Sequence, residues 1–218
     1  MSHNLLKGKK GIIFGALNDM SIAWKVAERA HEEGASFTLT NAPIAMRMGT
    51  INELAEKTNS KVIPADATSV EDLKHLFEKS QEILGGKVDF VLHSIGMSPN
   101  VRKKKQYTGL NYEWYKQTLD VSAMSLHKTL QVAYDMDALN NWGSVLALTY
   151  IAAQRIFPDY NDMADAKSLL ESITRSFGYH YGTAKKVRVN TISQSPTVTT
   201  AGSGVSGFDK FISFSENM

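Results

Sequence analysis

The stretch GKKGIIFGALNDMSIAW, residues 8–24, carries three structural signals in succession. First comes KKGIIFG (9–15), an apolar run bounded by glycine that reads as a short buried strand. A polar turn follows. Then Ser21 opens a segment whose apolar residues recur at helical spacing through residue 34. A strand apolar on both faces, followed at once by a helix, is the opening unit of a parallel sheet covered on both sides.

Outward from this unit the alternation repeats. Strand-like runs lie at SFTLT (36–40), KVIPA (61–65), KVDFVLHS (87–94), GSVLALTY (143–150) and VRVNTIS (187–193). Amphipathic segments at 47–59, 69–84, 111–139 and 160–183 separate them. Right-handed crossovers then predict an α/β fold, a doubly wound Rossmann-like parallel sheet. No repeat, low-complexity tract or Pro/Gly-rich linker interrupts it, so residues 1–218 are expected to form a single dinucleotide-binding and catalytic domain.

Composition narrows the function classes. Hydrophobic residues make up 43% and charged residues 21%, which is ordinary for a globular protein. The net charge of +2 gives no global signature for nucleic acid or a membrane surface. The absence of cysteine excludes disulfides and thiolate metal sites and fits a reducing compartment. The six histidines show no metal-ligand spacing, so no metal is expected. No apolar run approaches a membrane span, and the first fifteen residues carry no secretory apolar core.

In doubly wound folds ligands sit beyond the carboxyl ends of the strands. The first such end is GALNDMSIA (15–23). Gly15 closes the strand and Ser21 opens the helix, whose N-terminus favours a pyrophosphate; a plain turn with Ser21 as helix cap is the alternative. In PADATS (64–69), Asp66 is placed to accept from an adenine amino group or to cap the next helix. Ser69 suits the cap better, which leaves Asp66 free. In HSIG (93–96), Gly96 lets a ligand approach the backbone, and His93 reads as a packed histidine.

The segment YNDMADAK (160–167) places Tyr160 and Lys167 seven residues apart in what reads as a helix. Two turns on, both side chains would share one face, about 10 Å apart along the axis. They are too distant to bond each other, yet both can reach one elongated ligand.

Taken together, GKKGIIFGALNDMSIAW, DFVLHSIGMSP, LTYIAAQRIFPDYNDMADAKSLLE and VRVNTISQSPTVTTAGSG resemble a short-chain dehydrogenase/reductase, and within that superfamily the divergent bacterial enoyl-[acyl-carrier-protein] reductases. The resemblance spans nearly the whole chain. It implies reduction of the C2=C3 double bond of 2-enoyl thioesters by hydride transfer from NADH, the last step of the fatty acid elongation cycle. Lys167 is implied as the ligand of the nicotinamide ribose, Tyr160 as the hydrogen-bond donor to the thioester oxygen, and Tyr150 as a residue orienting or protonating the substrate. Gly15, Ser21 and Ile22 match the phosphate-binding turn, Asp66 and Ala67 the adenine contacts, and Ser94, Ile95 and Gly96 the ribose contacts. Ser98 falls at a substrate-contact position. Pro196, Thr197, Val198, Thr199, Thr200 and Ala201 match the loop that meets the carboxamide, continuing into a substrate lid around 196–212. The same resemblance implies acyl carrier protein as partner, a homotetramer and a cytoplasmic location. Relatives continue past the position of Met218 with another helix and a last strand, so the C-terminal strand is expected to be absent from this chain.

Ketone-reducing members of the superfamily use Tyr-x3-Lys and a serine thirteen residues before the tyrosine. Here the position four before Lys167 is Met163, and the position thirteen before Tyr160 is Ala147. That disfavours a carbonyl reductase, and intact Tyr160 and Lys167 disfavour a non-catalytic dinucleotide-binding protein. The displaced tyrosine has a chemical reason. In an enoyl thioester the oxygen that becomes negative lies further from the carbon taking the hydride than in a ketone. The end of strand two, LTNAPIAMR (39–47), lacks the acidic residue that would exclude a 2′-phosphate, and Arg47 would tolerate one, so NADPH is not excluded. The run VRKKKQ (101–106) is either a solvated loop or a docking patch for an acidic carrier protein.

Overall fold

The structure is a computed structural model describing residues 2–194 and 197–199. Strand β1 (Lys10–Phe14) lies inside the sheet, and its side chains show why: Ile12, Ile13 and Phe14 are at most 1% exposed. Successive strand residues point to opposite faces, so Ile12 and Phe14 enter one core and Ile13 the other. Burying each such side chain stabilises the fold by roughly 1.5–3 kcal/mol.

Five further strands complete the parallel sheet described here: β2 (Ser36–Thr40), β3 (Lys61–Val62), β4 (Val88–His93), β5 (Leu139–Thr149) and β6 (Arg188–Ser193). Their order is β3-β2-β1-β4-β5-β6, all neighbours parallel. One face is covered by α1 (Ile22–Glu32) and α3 (Ile51–Lys57), where Trp24, Ala27 and Leu54 pack with Ile13 and Leu39. The other is covered by α4 (Val70–Leu84), α7 (Ser125–Asp135) and α8 (Asp162–Lys185), where Phe77, Leu130 and Leu170 pack with Ile12 and Phe14. Chain order reverses between β1 and β4, so the ligand crevice opens beyond their carboxyl ends.

Some expected segments divide. The helix read over 47–59 is the shorter α3, and a separate short helix, α2 (Pro43–Met46), precedes it, with Gly49 between them. A Cβ at Gly49 would stand 2.3 Å from the Leu17 carbonyl oxygen, so this break lets the segment close on the first turn. The helix read over 111–139 is α6 (Tyr112–Leu119) and α7 joined by a π-helical segment, Asp120–Met124. Such bulges concentrate at functional sites. Pro64 lacks a donor and shortens β3, though Ile63 and Ala65 still bond Leu39 and Asn41. At its start β5 is longer than expected, because the exposed Asn141 and Trp142 in LNNW hide the apolar signal.

Candidate active site

Gly15 has φ +89°, and a Cβ there would lie 1.9 Å from the carbonyl oxygen of Ser94. Only glycine allows this backbone-on-backbone contact, which locks the ends of β1 and β4 together. Ser21 precedes α1 as expected but does not cap it. Its hydroxyl turns back to accept from Leu17 N and Asn18 N, each at 3.1 Å, because the loop's own amides compete for the oxygen. The Ile22 and Ala23 N–H groups therefore have no acceptor among the described residues, which is the arrangement that binds an anion at a helix N-terminus.

Beside this turn, Gly15, Thr40, Asn41, Asp66, Ala67 and Ile95 line one cleft. Ser69 caps α4 by accepting from Asp72 N at 3.2 Å, as the sequence suggested. Asp66 is less free than expected. Its Oδ1 accepts from Thr68 N at 2.9 Å and Thr68 Oγ1 at 2.7 Å, an Asx-type turn, which leaves Oδ2 as the available acceptor. Thr40 Oγ1 is buried there with no hydrogen-bond partner among the described residues. A buried hydroxyl without a partner costs about 1–3 kcal/mol, which a polar ligand in this cleft would recover.

The third part of the site centres on Gly96, in the bend after β4. A methyl group added to Gly96 would sit 3.4 Å from Met163 Cε and 3.8 Å from Lys167 Nζ, so the missing side chain opens space beside the ammonium. Lys167 is buried and donates to the Leu148 carbonyl at 2.6 Å, with no carboxylate partner among the described residues. Burial away from water lowers its pKa to about 8. His93 is buried below it and pairs with Ser125 Oγ at 2.9 Å. Since Ser125 already donates to Val121 O, His93 Nε2 is the donor. Burial first, and then the Lys167 charge, lowers the His93 pKa to about 3, so it is a neutral packed histidine as read from the sequence.

Tyr150 ends β5 and stacks at 5.0 Å and 56° on Tyr160, with Phe157 at 5.2 Å on its other flank. Burial pushes both phenols up, and for Tyr160 the neighbouring Tyr150 adds to the shift, so both hold their protons. Tyr160 itself is not on a helix. Asp159 and Asn161 have φ of 70° and 45°, a left-handed backbone that Asp and Asn tolerate, and α8 begins only at Asp162. The helical arithmetic that put Tyr160 and Lys167 on one face therefore fails. A turn, not two turns of helix, sets their separation.

Three polar residues at the start of α8 clasp the segment after β4. Asn161 Nδ2 donates to the Lys105 carbonyl. Asp162 is fully buried and accepts from Ser98 Oγ (2.7 Å), Asn100 Nδ2 (2.9 Å) and Thr118 Oγ1 (2.8 Å). Asp165 accepts from the hydroxyls of Tyr107 (3.2 Å) and Tyr115 (3.1 Å). Ser98 is thus turned inward. Its hydroxyl serves Asp162 and caps α5 (Pro99–Arg102) through Val101 N. Ser122, in the π-helical segment, is also buried and bonds both Met97 N and Met97 O.

Of the expected carboxamide loop, Thr197 and Val198 are exposed and Thr199 is buried. Pro196, Thr200, Ala201 and most of the 196–212 lid lie outside the described residues. Asp162, Asn100 and Thr118 were missed in the sequence; the signal was two aspartates set among the apolar positions of YNDMADAK. Among the described residues, no three His, Asp or Glu side chains gather in a metal-binding group.

A doubly wound sheet with a free helix N-terminus at its switch point, a buried lysine beside the glycine that follows the fourth strand, and a packed pair of tyrosines defines a dinucleotide-dependent reductase of the short-chain type. The family described as enoyl-(acyl carrier protein) reductase matches residues 15–218, and the chain belongs to that family. It is similar to the crystal structure of a FabI–NADH complex from Alistipes finegoldii, with 66% identity, TM-score 0.98, and coverage of 99% of this chain and 76% of that one. It is 32% identical over 213 residues to "Enoyl-[acyl-carrier-protein] reductase [NADH] 1" of Rhizobium meliloti (strain 1021), covering 97% of this chain and 76% of the relative. The Bacillus cereus enoyl-acyl carrier protein reductase, solved with NADP+ and an indole naphthyridinone, is 29% identical with TM-score 0.89, covering 100% of this chain and 83% of that one.

Proposed function

We propose that the chain reduces the C2=C3 double bond of 2-enoyl thioesters borne by acyl carrier protein, with NADH as the hydride donor. The observation that carries this reading is the site around Gly96. Lys167 lies beside it, while the position four before Lys167, where a ketone-reducing member carries its tyrosine, holds the buried Met163, which itself lies against Gly96. With a thioether at that position, a carbonyl on the carbon that takes the hydride lacks the phenol that would protonate it there.

When bound, the nicotinamide would supply the hydride that C3 of the substrate accepts. The chain's residues do the rest. Ile22 N–H and the α1 terminus hold the pyrophosphate, Asp66 Oδ2 and Ala67 meet the adenine, and Ser94 and Ile95 line the ribose side with Gly96. The unpartnered Thr40 hydroxyl and the cleft around it fit such an occupant. Lys167, with one N–H on the Leu148 carbonyl, would offer its remaining N–H groups to the ribose hydroxyls. Tyr160, kept protonated by burial, donates to the thioester oxygen as it gains negative charge. Tyr150 packs against it and orients the acyl group.

NADH is named for the relatives from Alistipes and Rhizobium, and NADP+ for that from Bacillus. Asn41, in place of an acid, and the exposed Arg47 leave room for a 2′-phosphate, so the preference for NADH is one of degree. We further assign the enzyme to the cytoplasm, as a homotetramer.

The test is NADH oxidation with crotonyl-CoA against acetoacetyl-CoA. Turnover of the enoyl thioester alone is expected, and comparable turnover of both would overturn the reading. Tight NADH binding with no turnover of either would favour a non-catalytic dinucleotide-binding protein.

A further inference from the structure

The end of α5 and the loop that follows it carry Arg102, Lys103, Lys104 and Lys105, all exposed. Cations elsewhere on this surface are commonly neutralised: Lys25 and Lys57 by Glu28, Lys79 by Glu82, Lys116 by Glu113, and Lys128 by Asp120. None of the four has an acidic partner among the described residues.

Carboxylates are nonetheless close along the same clasp. Asp162 and Asp165 sit on the α8 turn that holds this loop, yet they accept from serine, asparagine, threonine and tyrosine rather than from lysine. The clasp therefore fixes the backbone of the loop without cancelling its charge. It also fixes the location. The Lys105 carbonyl is bonded to the side chain of Asn161, which follows Tyr160 in the chain, so the cluster borders the residue that meets the thioester.

We propose that Arg102, Lys103, Lys104 and Lys105 form the docking surface for the acidic acyl carrier protein that delivers the substrate. This rests on the enoyl-thioester reading above and adds where the carrier lands. A carrier must set down within the length of its pantetheine arm from Tyr160, and a cluster held against Asn161 satisfies that. Four unpaired cations in a row steer an acidic partner and raise its rate of encounter, an effect that salt screens.

The experiment compares crotonyl-acyl carrier protein with crotonyl-pantetheine, which presents the same arm without charge. The variants are the triple Lys103→Glu/Lys104→Glu/Lys105→Glu and a control that reverses three exposed cations elsewhere, Lys7→Glu/Lys61→Glu/Lys74→Glu. The triple variant is expected to raise KM for the carrier substrate about tenfold and to change the pantetheine substrate less than about twofold. That difference should shrink with added salt. Equal effects on both substrates, no effect on either, or the same loss in the control would overturn the docking proposal. If the unaltered protein reduces neither substrate, the enoyl-thioester reading fails first and the docking site with it.

Discussion

Asp162 Oδ1 accepts a hydrogen bond from Ser98 Oγ across 2.7 Å, joining the start of α8 to a loop 64 residues earlier. The same buried carboxylate serves Asn100 and Thr118, so three donors depend on one side chain. Asp162→Ala is expected to leave those donors unpaired and to cost roughly 3 kcal/mol. It should also lower kcat more than it alters cofactor affinity, because Met163 N bonds Tyr160 O at the turn this network anchors. Urea denaturation and steady-state kinetics check both. A variant within about 0.5 kcal/mol of the parent would contradict the assignment.

Lys167 and Tyr160 should separate cleanly on mutation. Lys167→Ala is expected to weaken NADH binding as well as rate, because the lysine is proposed to hold the ribose. Tyr160→Phe should keep NADH affinity within about twofold and slow reduction by roughly 100-fold, the scale of losing one oxyanion donor. Because burial lowers Lys167 to about 8, NADH affinity should fall as the pH rises through about 8, and Lys167→Ala should show no such inflection. Titration of NADH by fluorescence in both variants decides it. The reverse pattern would exchange the two roles.

His93 makes a stability prediction with a definite sign. Its folded pKa of about 3 lies below the ordinary 6.5, so the unfolded chain binds more protons between those values. The stability gained from holding His93 neutral is complete above about 6.5 and drains away as the pH falls towards 3. His93→Gln, which retains a donor for Ser125, should flatten the decline of Tm between pH 6.5 and 4. Parallel declines in both proteins would show that other groups dominate.

At Gly15 the prediction is steric. Gly15→Ala sets a methyl carbon against the Ser94 carbonyl at 1.9 Å and strains a backbone at φ +89°. The ends of β1 and β4 must part. We expect a loss of at least about 2 kcal/mol together with impaired NADH binding. Gly109→Ala, where nothing lies within 4 Å, serves as the control in the same melting and binding assays.

Most of the fold was legible because a parallel sheet writes its strands as short apolar runs, and β1, β2, β4 and β6 lie where those runs do. The strand-end residues were legible for the same reason: topology brings Gly15, Asp66, Ala67 and Ile95 to one cleft. What could not be read was local and polar. Asp159 and Asn161 end the helical reading of Tyr160 through two residues of positive φ, and helical periodicity carries no trace of them. The Asp162 network joins α8 to residues from two other segments, a relation fixed only when the chain closes on itself. Nor could the inward bond of Ser98, which the resemblance places at a substrate-contact position, be read from the sequence. Its hydroxyl faces the interior because a buried carboxylate happens to await it.

The contact between Gly15 and Ser94 has a consequence for the order in which the chain acquires its shape. At synthesis rates of roughly 5–20 residues per second, several seconds separate the emergence of these two residues. During that interval β1 can pair with β2 on one side, but its other edge, Gly11 to Phe14, waits for Phe90 to His93. The first half is thus an open three-strand sheet with an apolar flank, the kind of nascent intermediate that chaperones shield. The nucleotide crevice is completed only when the fourth strand arrives, so NADH can act as a late folding ligand that stabilises the closed sheet rather than a template for its beginning.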